Sequence, residues 1–303
     1  MFIIVFNQTN IVPDGQNNKL VYKFPNSVNL KDKYIAVSEI SMYYSWFNIA
    51  TIYSNNILTY TWTVGSTIIT YTITIPDGLY EITDLNNLIQ FNCLNNKTYY
   101  SNTTGTVNYY PFELILNPVR YAVQLNTYLI PTSAPVGTIT PVGFPGFPTT
   151  IQNSVITIPA NLNTIIGFRA GFVSDANISN PIGSPATTQY VSKAQSTGTI
   201  SYLSTTAPQV QPNNSVIFSL SGINNPYTQP SSVIYSLNPN VAVGQQVFQV
   251  PPNFMWCKMI DGTYNELRLS LLGNDLNPLK IQDPNMTFLL AIRDKDESSL
   301  GSK

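Results

Sequence analysis

Ile68-Ile69-Thr70-Tyr71-Thr72-Ile73-Thr74-Ile75 decides the fold class. Threonine recurs at every second position from Thr70, with large side chains between. That period of two is the period at which a strand's side chains change face. Thr, Ile and Tyr are also the residue types that suit a pleated, half-buried surface. Just upstream, Tyr60-Thr61-Trp62-Thr63-Val64 repeats the pattern. Further strands are predicted at 20–24, 34–42, 112–116, 121–125, 155–158, 216–220, 233–237, 247–250, 254–260, 267–271 and 288–292. Turn residues punctuate them: Pro13-Asp14-Gly15, Pro76-Asp77-Gly78, Asn117-Pro118, Asp261-Gly262 and Gly273-Asn274-Asp275. About a dozen short strands in this arrangement predict an all-β protein, a β-sandwich or jelly roll.

One segment departs from period two. After the turn at Gly78, Leu85, Leu88, Ile89 and Cys93 recur at helical spacing, with Thr83 or Asp84 placed to cap the first turn. This predicts one helix packed on the sandwich. A shorter helical turn is predicted at 161–166. Gly78 is expected in a turn that needs a glycine-like backbone angle. Residues 131–150, with Pro131, Pro135, Pro141, Gly143, Pro145, Gly146 and Pro148, read as a long loop or insertion. So do residues 173–213, rich in Ser, Thr, Asn and Pro. The domain reading is one framework over 1–293 elaborated at those two places, and a flexible charged tail over 294–303.

Composition narrows the function. Of 303 residues, 10% are charged, against about 25% in an average soluble domain. The apolar share is 43%, ample for a large core. The chain has no histidine, which removes His-based triads and His–metal sites. Two cysteines, Cys93 and Cys257, cannot build a thiolate metal cluster or a disulfide framework. They are a redox pair, a nucleophile, or two small buried apolar residues; without a histidine partner the last is preferred. A net charge of −1 gives no electrostatic case for nucleic acid or an anionic membrane. No apolar run is long enough to span a membrane. Met1-Phe2-Ile3-Ile4-Val5-Phe6 is too short for a secretion signal and reads as a buried strand. The protein is therefore expected not to be secreted, with both thiols reduced.

Chemistry-bearing residues are few. The carboxylates near structured segments are Glu39, Glu81, Asp84, Glu113, Asp261 and Glu266. A pair of them would serve a glycosidase, but Asp77 and Asp261 precede glycine and Asp84 starts a helix, which are turn and cap positions. No G-x-x-x-x-G-K phosphate loop occurs, and Asp275 and Asp283 lack EF-hand spacing for calcium. Tyr43, Tyr44, Trp46 and Phe47 form either a sugar-stacking platform or core packing, the latter preferred. No catalytic, cofactor-binding or metal-ligating residue is assigned. From Tyr121 to Cys257 the charged residues are only Arg169, Asp175 and Lys193, which leaves little self-repulsion between copies.

Two motifs stand together: Ser45-Trp46-Phe47-Asn48-Ile49, and Ile75-Pro76-Asp77-Gly78-Leu79-Tyr80-Glu81-Ile82-Thr83-Asp84-Leu85-Asn86-Asn87-Leu88-Ile89-Gln90, with Ile165-Ile166-Gly167-Phe168 as a third piece. This combination resembles the penton, or minor capsid, proteins of mavirus-type virophages and of Polinton or Maverick-like elements. The motif-bearing region is about 34–168. The resemblance implies a single jelly-roll β-sandwich with one short helix and long loops, a structural protein of the virion and not an enzyme. It implies homopentamers at the five-fold vertices of an icosahedral capsid, assembled inside the host cell, with major capsid protein capsomers as neighbours. It implies no cofactor and no catalytic residues. A lectin-like or receptor-binding jelly-roll module is the alternative, and a carboxylate glycosidase is a third.

Overall fold

The computed structural model describes residues 1–168, 199–210 and 214–295. The insertion expected at 173–213 lies outside the described residues except for 199–210, where Thr199–Leu203 is a strand and not a loop. The tail expected over 294–303 lies outside them beyond residue 295. The chain divides into two compact units: Met1–Phe47 with Asn213–Lys303, and Asn48–Pro212. The single framework read over 1–293 is thus split at residue 48. Strands of both units share the same period, so no change of composition marks the boundary.

The first unit is a sandwich of two antiparallel sheets. One sheet runs Phe2–Asn7, Thr287–Asp294, Lys33–Tyr43, and then Gln246–Gln249 and Cys257–Met259, which both pair with Lys33–Tyr43. The other runs Lys19–Asn29, Thr263–Leu272, Val216–Leu220, Val233–Leu237. Gln246–Gln249 and Cys257–Met259 count as one interrupted strand, and the two-residue Ile223–Asn224 is left aside. The sheets then hold the first, eighth, third and sixth strands, and the second, seventh, fourth and fifth. That double Greek-key succession is a jelly roll.

Its core lies between the sheets. Ile4, Phe6, Ile35, Ile40, Phe288, Leu290 and Ile292 face Leu20, Val216, Phe218, Leu220, Leu267, Leu269 and Leu271. The rings of Phe218 and Phe288 meet edge-on across the sandwich, 5.5 Å between centroids.

The second unit occupies the connection between the jelly roll's third and fourth strands and has its own core. Val155–Thr157, Ile57–Val64 and Thr67–Thr74 form one antiparallel sheet. Ala122–Ile130 is flanked by Phe112–Asn117 and Thr199–Leu203 in another. The helix Ile82–Asn95 turns Ile82, Leu85, Ile89 and Cys93 into the core with Leu58, Tyr60, Phe112, Leu114 and Leu125. It begins earlier than the expected cap. Asp84 reaches back to accept the Glu81 N–H at 2.9 Å instead of capping forward. The predicted turn at 161–166 is present as Ala160–Leu162 and Asn163–Ile166. No helix among the described residues is long and apolar enough to cross a membrane.

The 131–150 segment is only partly a projection. Val136 and Val142 are open to solvent, but Phe144 and Phe147 fold back onto Trp62, Tyr100 and Ile130. The Trp62 indole N–H donates to Gly146 O at 3.0 Å. Two phenylalanines need cover, and a buried indole needs an acceptor, so the Pro/Gly-rich stretch is anchored.

Two glycines differ from each other. Gly78 has no positive φ, so the expected glycine-like angle is corrected. What a side chain there would meet is the Tyr80 ring, 2.9 Å from an added Cβ. Gly167 has φ +77° and an added Cβ would stand 2.2 Å from Thr206 O. Its own carbonyl accepts the backbone N–H groups of Thr205 (3.0 Å) and Thr206 (3.1 Å). Gly167→Ala should therefore cost about 2–3 kcal/mol in chemical denaturation, from strain and clash together.

Candidate assembly surface

Strands normally alternate when one face is wet and run continuously apolar when both faces are covered. The jelly roll's two sheets follow different rules. Thr263–Leu272 alternates, with Leu267, Leu269 and Leu271 buried and Arg268 exposed between them. Glu266 and Arg268 on that outer side pair with each other at 2.6 Å. In the other sheet, Phe2–Asn7 reads FIIVFN and Thr287–Asp294 reads TFLLAIRD, apolar at both parities. Ile4, Phe6, Phe288, Leu290 and Ile292 serve the core. Ile3, Val5, Leu289 and Ala291 point the other way: Ile3 and Val5 are exposed, Leu289 is half-buried, and Ala291 is covered.

Register builds these into rows across the outer face. Ile3 lies beside Ala291, and Ala291 beside Ala36. Val5 lies beside Leu289, and Leu289 beside Glu39. Asn7, Thr287, Ser41 and Phe248 make the next row. Ile3 is 52% exposed and Phe248 60%. Phe254 and Trp256 meet with tilted rings 5.2 Å between centroids, and the Arg293 guanidinium lies over the Trp256 ring at 4.2 Å. Met255 beside them is 64% exposed. Arg293 Nε is buried without a hydrogen-bond partner. Aromatic side chains, Met and Arg are the types enriched where proteins bind proteins. The edge of this sheet is Phe2–Asn7, whose outer side pairs with no described strand and which holds no Lys, Pro or Gly to guard it.

The residues considered in the sequence fall elsewhere. Tyr44 and Trp46 are buried and stacked at 4.0 Å, as core packing requires, whereas Tyr43 stays half-exposed. Glu113 accepts from Asn126 Nδ2 and Tyr128 Oη, Asp261 accepts the Asp32 N–H, and Asp77 accepts the Thr51 N–H. Asp275 and Asp283 hold amides of their own loops. Among the described residues no three His, Cys, Asp or Glu side chains gather as a metal site would need.

Burial pushes the Cys93 thiol up to about 12 from 9.0, against hydrogen bonds with Thr98 and Tyr60 that lower it. Burial raises Cys257 as well. Neither thiol should react with a disulfide reagent at pH 8 until the protein unfolds. Above pH 9.0 the unfolded Cys93 loses a proton that the folded one keeps. Stability should thus fall as pH rises from about 9 toward 12, a slope that Cys93→Ala would reduce.

Asn48 and Ile49, the end of the first motif, meet the second motif in the second unit. Asn48 Nδ2 donates to Tyr80 O and Val210 O, both at 2.8 Å, and its Oδ1 accepts the Tyr80 N–H at 2.9 Å. Asn55 Nδ2 donates to Asn48 O, and the Gly78 N–H donates to Ile49 O. Tyr80 Oη donates to Pro76 O. Asn48 and Ile49 with the Pro76–Tyr80 stretch form a clasp within the second unit, a structural and not a chemical arrangement.

A further feature went unpredicted. Asn117, Gln124, Asn126 and Ser201 form a hydrogen-bonded ladder, Gln124 and Asn126 each 1% exposed. The polar alternation in 122–130 reads like a wetted face, and only tertiary packing tells the two apart.

No protein-family model and no curated protein matches the chain. Among solved structures it is similar to the crystal structure of the mavirus penton protein, at 9% identity over 96% of each chain, with a TM-score of 0.39. It is also similar to a chain of the cryo-EM structure of the Sputnik virophage, at 10% identity over 98% of each chain, with a TM-score of 0.37.

Proposed function

We propose that the chain is a structural subunit of an icosahedral viral capsid, not an enzyme. It forms homopentamers at the five-fold vertices and there meets major capsid protein capsomers, assembled inside the host cell and carried in the virion. The observation that carries this reading is the outer face of the jelly roll's first sheet, where exposed Ile3 and Val5 stand beside Leu289 on an unguarded edge strand. A lone soluble protein gains nothing from Ile3 and Val5 exposed two residues apart on one strand face, and exposed apolar patches mark interaction sites. A ring contact uses this face against a different surface of the next copy and closes on itself. Low charge suits that role, because copies carrying a net charge of −1 repel each other weakly. The sequence motifs about residues 45–90 agree with it.

Ile3→Glu tests the face. Ile3 is half in solvent, so the fold should tolerate the change within about 0.5 kcal/mol. Rings visible by negative-stain microscopy for the parent protein should be absent for the variant, while its circular dichroism and melting remain unchanged. Equal rings from both proteins would remove this face from the contact.

A further inference from the structure

At one end of the same sheet lies an open trough of about 420 Å³. Thr287 and Ser41, neighbours in register, form its floor. Gln8, from the short 3-10 helix after the first strand, stands on one side, with Tyr43 and Gln246 on the other and Asn285 at the end. None of the side chains lining it carries a formal charge.

The polar groups here are largely uncommitted. Thr287 Oγ1, Tyr43 Oη and the Gln8 amide make no hydrogen bond to another described residue. Gln246 Nε2 donates to Ser41 Oγ at 3.0 Å, which leaves the serine proton and the Gln246 carbonyl oxygen available. Asn285 Nδ2 is held by Asp283, so its Oδ1 is turned loose as an acceptor. Hydroxyls that both donate and accept, carbonyl oxygens that accept, and a free amide make a mixed set. Beside them the half-exposed Tyr43 ring supplies apolar surface.

A pyranose ring has that same composition: hydroxyls that donate and accept around its rim, and a C–H face that packs on an aromatic ring. A cation would favour a phosphate or a carboxylate, and no side chain lining the trough carries one. The volume is within the range of small-ligand sites. We propose that this trough binds a neutral saccharide. The trough adjoins the assembly face, whose end row of Asn7, Thr287 and Ser41 it shares, but sugar binding needs no second copy and is read on the single chain.

The test applies the full chain to an array of neutral, sialylated and sulfated glycans, followed by saturation-transfer NMR titration with the best neutral oligosaccharide. Neutral glycans should bind, and acidic substituents should add nothing. Thr287→Val keeps the shape and strand preference but removes the hydroxyl, and it should weaken binding about ten-fold. Gln8→Leu, in an exposed position, should weaken it comparably and covers the case in which Thr287→Val fails to fold. Binding of no neutral glycan, binding of acidic glycans alone, or unchanged affinity in the folded variants would each overturn the proposal.

Discussion

Asn48→Ala should lower stability by about 4 kcal/mol, one of the two largest effects expected in this molecule. The side chain is 2% exposed and makes three hydrogen bonds, all to backbone groups: the Tyr80 N–H, Tyr80 O and Val210 O. Alanine leaves all three without their partner. A buried group so stranded costs roughly 1–3 kcal/mol, and water re-enters to meet some of it. At roughly 2–4 °C per kcal/mol for a chain of this size, the melting temperature should fall by about 10 °C. Asn48→Asp keeps the acceptor and loses both donors, so its loss should also be large. Hydrogen exchange at the Tyr80 amide should accelerate in both variants. A melting shift under about 2 °C for Asn48→Ala would mean that the clasp does not hold the second unit.

Phe288→Ala should cost about 3–5 kcal/mol in the jelly roll. Phe288 is 1% exposed and meets Phe218 edge-on across the two sheets. Removing its ring takes away buried apolar surface and leaves a hole lined by residues fixed in strands, which collapse little. Phe288→Leu fills most of the hole and should cost less than half as much. Chemical denaturation of the two variants checks the order. Equal and small effects would show that the sheets do not pack through this position.

The jelly roll's strands were largely legible because half-buried strands write their period into the sequence. Val216–Leu220 and Val233–Leu237 have the predicted bounds, and Thr263–Leu272 extends the predicted 267–271. Phe254 to Trp256 failed as strand, leaving only Cys257–Met259, because an aromatic run exposed at a sheet margin has the same composition as a strand core. The helix was legible from Leu85, Ile89 and Cys93, but its start was not, since Asp84 can serve a cap in either direction. The division at residue 48 was invisible: two cores built from the same strand chemistry share one composition. The candidate surface was half visible. The continuous apolar character of FIIVF predicts a buried strand, and Ile4 and Phe6 are buried while Phe2, Ile3 and Val5 are exposed. That Ile3 and Val5 lack cover within the chain needs the pairing register, which no period reports.

Light scattering coupled to size-exclusion chromatography measures the central claim most directly. At micromolar concentration the capsid reading predicts a particle of five times the 33.6 kDa chain mass, with Ile3→Glu eluting at the single-chain mass. A parent protein that remains at 33.6 kDa up to its solubility limit, alone and with capsomers of its major capsid protein, would contradict it.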